Sequence, residues 1–294
     1  MSTRIMLTIA YDGTDYVGWQ VQPNGTAVEE VINKALSELT GENIIIAGAS
    51  RTDSGVHADG NVAVFDTESK IPAEKFCFAL NQRLPKDIVC TASCEVAPDF
   101  HPRHADCIKT YEYRIYNAVH PDPLKRRYSY FVYMPLDIEA MRKAAEYLIG
   151  EHDFSSFCSA HAQVKTTVRT VYSLEIIASG APEEETAAYG ENDSGNENGT
   201  SEKPRKKYMA RDIIIRISGN GFLYNMVRII AGTLCKVGYH FYPPEHVKEI
   251  LDGCDRKLAG PKAPAEGLKL VGIVFYPICF HKIGGDQYGS SKYL

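Results

Sequence analysis

The feature that most limits how this chain can fold is the order in which its hydrophobic periodicities change. Over residues 1–100, runs alternating with period two and runs repeating near 3.6 follow one another as strand, helix, strand, strand, helix, strand. They run from Ile5 to Ala10, Ala27 to Leu39, Asn43 to Ala47, Asn61 to Asp66, Ala73 to Leu84 and Ile88 to Val96. Thr26 ahead of Glu29, and Pro72 at a first-helical position, mark the two helix starts. That order is a split βαβ sandwich, which places the chain in the α+β class.

After the turn from Pro98 to Pro102 the order recurs. Strands are expected at Cys107 to Tyr116 and Tyr128 to Tyr133, a helix at Ile138 to Ile149, and strands at Val168 to Ala178 and Tyr208 to Ser218. Helices at Leu223 to Val237 and Pro244 to Asp252 and a strand at Leu270 to Tyr276 complete the chain. Two lobes follow, 1–105 and 106–280, with a flexible tail at 281–294. Residues 179–205 are rich in Gly, Asn, Glu and Ser and hold almost no large apolar side chain, so they bury too little to offset their ordering entropy. They read as a disordered acidic insertion between two paired strands.

The length of 294 residues and apolar share of 44% are enough for real cores. No apolar window approaches a membrane span and the N-terminus lacks a signal stretch, so a cytoplasmic protein without membrane contact is expected. The eight cysteines are scattered through apolar segments and read as reduced, buried thiols. The close pairs Cys90 and Cys94, and His101 and His104, lack the further ligands that zinc wants, so no metal is expected. A net charge of −5 argues against a nucleic-acid partner until it is resolved along the chain. Residues 181–202 hold seven acids and no Lys or Arg; outside them 32 basic residues face 30 acidic ones, a balance compatible with RNA.

Three stretches concentrate chemistry. The first, Ser50-Arg51-Thr52-Asp53-Ser54-Gly55-Val56-His57, lies between two expected strands and can present the Asp53 carboxylate beside an approachable backbone. An ordinary turn, with Asp53 capping backbone N–H groups and Arg51 neutralising it, accounts for the same residues. His57 offers a general base or a structural hydrogen bond, and Asp12 and Asp15 form a second acidic turn. The second stretch, Lys109-Thr110-Tyr111-Glu112-Tyr113-Arg114, alternates aromatic and polar side chains; a tyrosine there can stack on a base or simply suit a strand. The third, Asn220 to Gly232, is an apolar helix interrupted by Arg228, whose guanidinium needs a carboxylate partner such as Asp53 or a route to the surface.

In this order the stretches resemble the tRNA pseudouridine synthase family that modifies uridines 38, 39 and 40 of the anticodon stem-loop. The likeness rests on Ile9-Ala10-Tyr11-Asp12-Gly13-Thr14 with Gly18-Trp19-Gln20, on Arg51-Thr52-Asp53 with Gly55-Val56-His57-Ala58, and on Asp99-Phe100-His101. It continues through Tyr111-Glu112-Tyr113, His152 to Phe157, Phe222 to Arg228 and Pro264-Ala265-Glu266-Gly267-Leu268, covering nearly the whole chain. Ser50 stands where Gly is usual, Ser54 where Ala is usual, and Pro102 replaces a more common Ala. The resemblance implies two ferredoxin-like, RRM-like lobes sharing a continuous, mainly antiparallel sheet with helices on one face. It implies Asp53 as nucleophile, Arg228 pairing with it beside Arg51, Tyr111 near the target base, and His57 and Leu268 in the substrate site. It also implies a tRNA partner, a homodimer and no cofactor, since isomerisation moves no electrons or groups in or out.

Arg103, Lys125, Arg126, Arg127 and Lys165 are candidate phosphate contacts, and each reads equally as solvated surface. A non-catalytic RNA-binding module, or a glycosidic hydrolase with Asp12 or Asp59 facing Asp53, remains an alternative. Whether Asp53 attacks the sugar or helps remove a sugar proton is open.

Overall fold

The computed structural model describes residues 2–159, 165–179 and 210–276. Residues 180–205 of the acidic insertion and the tail 281–294 lie outside them. The protein is mixed α+β and mostly antiparallel, with five α-helices among the described residues. These residues form two compact units, one of residues 2–109 with 270–276 and one within 110–269.

The first unit opens with β1 (Thr3–Tyr11) and α1 (Val28–Thr40), followed by a two-residue β2 (Ala47–Gly48) and β3 (His57–Thr67). A 3₁₀ turn (Ala73–Lys75) then runs into α2 (Phe76–Asn81), and β4 (Ile88–Val96) follows. β1 lies between β4 and β3 and is antiparallel to both, while β2 pairs with β3. Ile5, Leu7 and Ile9 are buried on one face of β1, as are Val28, Ile32 and Leu36 along one side of α1. On the other face of β1, Met6 packs with Phe100 into a cluster built on Ala49, Val62 and Phe275, where Phe100 and Phe275 meet edge to face at 5.2 Å. Apolar layers therefore enclose β1 on both sides.

The second unit contains β5 (Cys107–Asn117), β6 (Tyr130–Val132), α3 (Ile138–Glu146), β7 (Gly150–Asp153), β8 (Val168–Ser179) and β9 (Arg211–Gly219). It continues with α4 (Met226–Gly238), α5 (His246–Gly253) and a 3₁₀ turn (Ala265–Gly267) that leads into β10 (Leu268–Phe275), whose residues from Leu270 onward belong to the first unit. Its strands lie in the order β5, β9, β8, β7. The flanks of the acidic insertion pair antiparallel, with Ile177 opposite Ile214 and Ser179 opposite Asp212, as the alternation on either side of it implies. α4 is buried almost all round. Gly232 admits the chain at Pro261, where a Cβ would stand 1.9 Å from the Pro261 carbonyl oxygen. Gly260 N–H bonds to Thr233 Oγ1 at 2.9 Å, and the Tyr113 hydroxyl donates to Pro264 O at 2.8 Å. Residues 260–264 thus form a strap tied across α4.

Several boundaries differ from the sequence reading for local reasons. Residues 43–46 are not strand, although Ile44 and Ile46 are buried. Their N–H groups bond to Ser37 Oγ at 3.0 Å and Asn33 Oδ1 at 2.9 Å, so side chains of α1 supply what a neighbouring strand would. α1 starts after Ala27, not Thr26, and Glu30 reaches back to the Ala27 N–H while Glu29 accepts from Val21 N–H. α2 stops at Asn81 because that amide pairs with both backbone groups of Cys90, at 2.8 and 2.9 Å. α3 ends at Glu146 and β7 follows, a strand with no alternating apolar signal. α4 begins three residues late because Asn225 sits in the left-handed region at φ 62°.

Within β5, Glu112 is 4% exposed and is met by Arg216 at 2.6 Å, Arg114 at 3.0 Å and Lys269 at 4.0 Å. Burial pushes its carboxyl up, but the bonds from Arg216 and Arg114 outweigh this and hold it below the ordinary carboxylate value. A depressed folded value means that the stabilisation is complete above the unfolded value of about 4.3 and is lost as pH falls through the folded value. Glu112→Gln is therefore expected to lower unfolding free energy by about 2 kcal/mol at neutral pH. It should also flatten the acid-side loss of stability, read by denaturant titrations at pH values on both sides of that unfolded value. An unchanged acid limb would show that this cluster does not set it.

Candidate active site

The Asp53 loop connects β2 to β3 and is held at nearly every backbone position. Trp19 N–H donates to Thr52 O at 3.0 Å, Gly18 bridges Asp53, Gly55 N–H reaches Tyr16 O at 3.3 Å, and Val56 N–H closes a turn on Asp53 O at 3.1 Å. Two glycines make this approach possible. At Gly18 φ is +114° and a Cβ would stand 2.6 Å from Thr52 O; at Gly13 one would stand 2.0 Å from Val56 O.

Beneath the loop lies a buried polar network. The Tyr11 hydroxyl and Thr52 Oγ1 are 2.7 Å apart. Asn61, 0% exposed, donates to Ser50 O at 3.0 Å and to the Tyr11 oxygen at 3.4 Å, while its own carbonyl accepts from Val62 N–H. Two cations grip the strand before the loop, Arg103 Nε on Gly48 O at 2.8 Å and Lys109 Nζ on Ala49 O at 2.9 Å. Thr52 is buried, Asp53 is half-buried and Arg51 is exposed, so the carboxylate stands at the rim of a fixed backbone.

His57 is 5% exposed, and its Nδ1 accepts the Gly13 N–H at 3.1 Å with Asp12 Oδ1 3.2 Å away. Asp12 in turn accepts from both Thr14 N–H and Thr14 Oγ1, at 3.0 and 2.6 Å. The pair joins the two turns and gives Asp12 the work of a turn-forming aspartate. Asp59 is exposed on β3.

The second unit carries the other candidates. Tyr111 is buried edge-on against Phe222, with ring centroids 5.3 Å apart. Arg228 is 8% exposed in the first turn of α4; its Nε donates to Ala263 O at 2.8 Å and its Nη1 to Asn225 Oδ1 at 3.1 Å. Leu268 is buried at the start of β10. Among the phosphate candidates, Lys125 is bound to both oxygens of Asp212 at 2.6 Å and lies over the Tyr116 ring at 4.3 Å. Arg126 and Lys165 are exposed, Arg127 is half-buried, and Arg103 has its Nε engaged at Gly48.

Asn61 was not singled out in the sequence, and Tyr11, Gly18 and Phe222 entered only as members of motifs, with no role of their own. Asn61 offered the one signal, an amide on a strand otherwise buried on both faces. Among the described residues no three His, Cys, Asp or Glu side chains gather where a metal could sit, and no helix is long and apolar enough to cross a membrane. Burial pushes the Cys90 thiol up to about 12, away from the thiolate that a metal would need.

A family model described as tRNA pseudouridine synthase matches residues 7–104 and 144–276. The tRNA pseudouridine synthase A of Ruminiclostridium cellulolyticum is 46% identical over 274 residues, covering 92% of this chain and 99% of that one. The tRNA pseudouridine synthase A of Brevibacillus brevis is 43% identical over 272 residues, with the same coverage. A protein of Clostridium perfringens named tRNA pseudouridine synthase A 2 is 44% identical over 272 residues, again with that coverage.

The loop geometry has a consequence of its own. Gly18→Ala places a side chain in a left-handed position against Thr52 O and should destabilise the fold by about 1–3 kcal/mol. Tyr11→Phe removes the bond to Thr52 Oγ1 and the longer one from Asn61 and should destabilise it by about 1 kcal/mol. Hydrogen exchange should quicken at residues 50–56 in both variants. Wild-type protection there in Gly18→Ala would show that the loop does not depend on this approach.

Proposed function

The chain belongs to the tRNA pseudouridine synthase family and isomerises uridine to pseudouridine in tRNA, and from that premise we propose that Asp53 is the carboxylate on which the reaction turns. The observation that carries the reading is the combination of a half-buried carboxylate with a backbone fixed from both sides, by Gly18 and Trp19 above and by the Thr52, Tyr11 and Asn61 network below. Such a group meets the substrate without reorganising, which is what an electrostatic or nucleophilic catalyst requires.

The reaction breaks the bond from uracil N1 to ribose C1′ and makes one from C5 to C1′. The hydrogen leaves C5 for solvent, N1 gains a proton, and nothing else enters or leaves, so no cofactor is invoked. The target nucleotide must first leave its stack. Asp53 then either attacks C1′ and forms an ester that the returning base displaces, or accepts a sugar proton as the glycosidic bond opens and returns it. In this reading Arg228 pairs with Asp53 and keeps it ionised, since an opposite charge favours the charged form. Tyr111 lies near the target base, Leu268 lines the same site, and Arg51, exposed beside Asp53, contributes positive charge where the RNA enters. His57, buried beneath the loop, acts on the substrate only through the geometry of the turn.

Further proposals rest on the same premise. The targets are uridines 38, 39 and 40 of the anticodon stem-loop, the active species is a homodimer, and it works in the cytoplasm. Each unit is read as a ferredoxin-like lobe belonging to one continuous sheet. In support, β1 lies between β3 and β4 while α1 and α2 occupy the connections.

The decisive experiment supplies tRNA tritiated at uridine C5 and counts tritium released to water, because C5 loses its hydrogen when it becomes the glycosidic carbon. Wild type should release it, and Asp53→Asn should bind the same tRNA but release none. Release at the wild-type rate by that variant would end the assignment of Asp53. Cleavage of free nucleosides without RNA would point to a hydrolase instead.

Charge placement makes a separate prediction about tRNA binding. Charge reversal at exposed Arg126 should weaken binding and flatten its salt dependence by roughly one counterion. Reversal at Lys125, already neutralised by Asp212, should weaken it less. Equal effects at both positions would argue against a phosphate contact specific to Arg126.

A further inference from the structure

Asn225 stands immediately before α4 with φ 62° and ψ 8°, a conformation that non-glycine residues seldom adopt. An asparagine before a helix ordinarily caps it by accepting a backbone N–H, but here no side-chain cap bond is made. The amide is engaged sideways instead. Its Oδ1 accepts from Arg228 Nη1 at 3.1 Å and its Nδ2 donates to Ser159 Oγ at 2.9 Å. The turn is tied to the same serine a second time, by Ser159 N–H to Tyr224 O at 3.1 Å.

On its other edge the guanidinium meets the strap. Arg228 Nε donates to Ala263 O at 2.8 Å, and Ala263 N–H donates back to the Arg228 carbonyl at 3.1 Å. Both groups that hold these two nitrogens are neutral. They fix the direction of the guanidinium without cancelling its charge, whereas a carboxylate at position 225 would do both.

We propose that Asn225 is a positioning residue for the isomerisation: its left-handed backbone sets Oδ1 where it fixes the direction of the Arg228 guanidinium. The proposal rests on the reading of Arg228 as the partner of Asp53. Backbone and amide make separable contributions. Glycine keeps the left-handed turn and removes the amide, and aspartate keeps an acceptor but binds the charge.

The test measures single-turnover tritium release and tRNA dependence for Asn225→Gly, Asn225→Asp, Arg228→Ala and the double variant Asn225→Gly with Arg228→Ala, each first checked for native circular dichroism. Asn225→Gly is expected to reduce kcat by about ten- to a hundredfold, the scale of a small misplacement at a reacting centre, with KM for tRNA unchanged. Asn225→Asp should be at least as slow, and the double variant no slower than Arg228→Ala alone.

Wild-type kcat in Asn225→Gly, with Arg228→Ala slow, would reduce Asn225 to a turn former and overturn the inference. So would a rise in KM without a fall in kcat, or multiplicative losses in the double variant. Wild-type turnover by Arg228→Ala would remove the underlying reading of Arg228 and the inference with it. If Asn225→Gly does not fold, Asn225→Asp decides: slow turnover at unchanged KM supports the proposal, and wild-type turnover overturns it.

Discussion

The hydroxyl pair of Tyr11 and Thr52, 2.7 Å apart and shut away from water, is the contact on which the Asp53 loop depends. A loop of eight residues between two strands carries many backbone groups that solvent would otherwise satisfy, and drawing it into the fold obliges the protein to supply partners. Tyr11 closes β1, so its ring belongs to the apolar layer while its hydroxyl reaches the loop. Asn61 completes the arrangement from β3 by binding Ser50 O. β1 and β3 thus contribute one buried polar side chain each, and the position of Asp53 follows from the strands rather than from the loop's own preferences. The two glycines complement this, since only a residue without Cβ lets the segment from Gly13 to Gly18 close over the loop.

The second unit solves the converse problem. A guanidinium in the first turn of an enclosed helix is expensive to desolvate, and its hydrogen bonds must be found before the helix is closed in. They come from positions that interrupt regular structure, the left-handed Asn225 and the strap at Ala263. Gly232, Gly260 and the Tyr113 hydroxyl serve the strap, and so serve Arg228 at one remove. Interruption of the helix at Asn225 is the means by which its first turn gains a rigid, neutral acceptor.

Legibility in the sequence followed the range of the interactions involved. β1, β4, β5, β8 and β9 were readable because each has alternation of its own, β3 as an apolar run buried on both faces, and the hairpin around the acidic insertion from both flanks. Residues 43–46 misled because alternation reports burial and not the partner of the backbone: Ile44 and Ile46 are inside, but Ser37 and Asn33 hold their N–H groups. The late start of α4 was hidden because nothing local announces a left-handed asparagine. Arg51, Asp53 and Arg228 stood out as charges in unusual company. Tyr11, Gly18, Asn61 and Asn225 did not, because their roles exist only through partners distant in the chain or through backbone conformation. The partner of Lys125 was hidden for the same reason, since a basic residue in a basic run is paired with Asp212 from a strand far along the sequence.

These arrangements suit the demands of an isomerisation. Because no group arrives or departs, the enzyme gains nothing from a cofactor's reactivity and must work through placement: the uracil, once detached, must turn and rejoin without escaping. Interactions that tighten only in the transition state raise the rate, and those require groups already in position before the substrate binds. An aspartate on a flexible loop would first have to be ordered, and the ordering entropy would be drawn from substrate binding. In the reading proposed for Asp53, ordering its loop during folding, through buried hydroxyls, close-approaching glycines and two cations on carbonyl oxygens, meets that requirement in the protein's own stability and leaves the binding energy of the RNA for extracting the nucleotide from its stack.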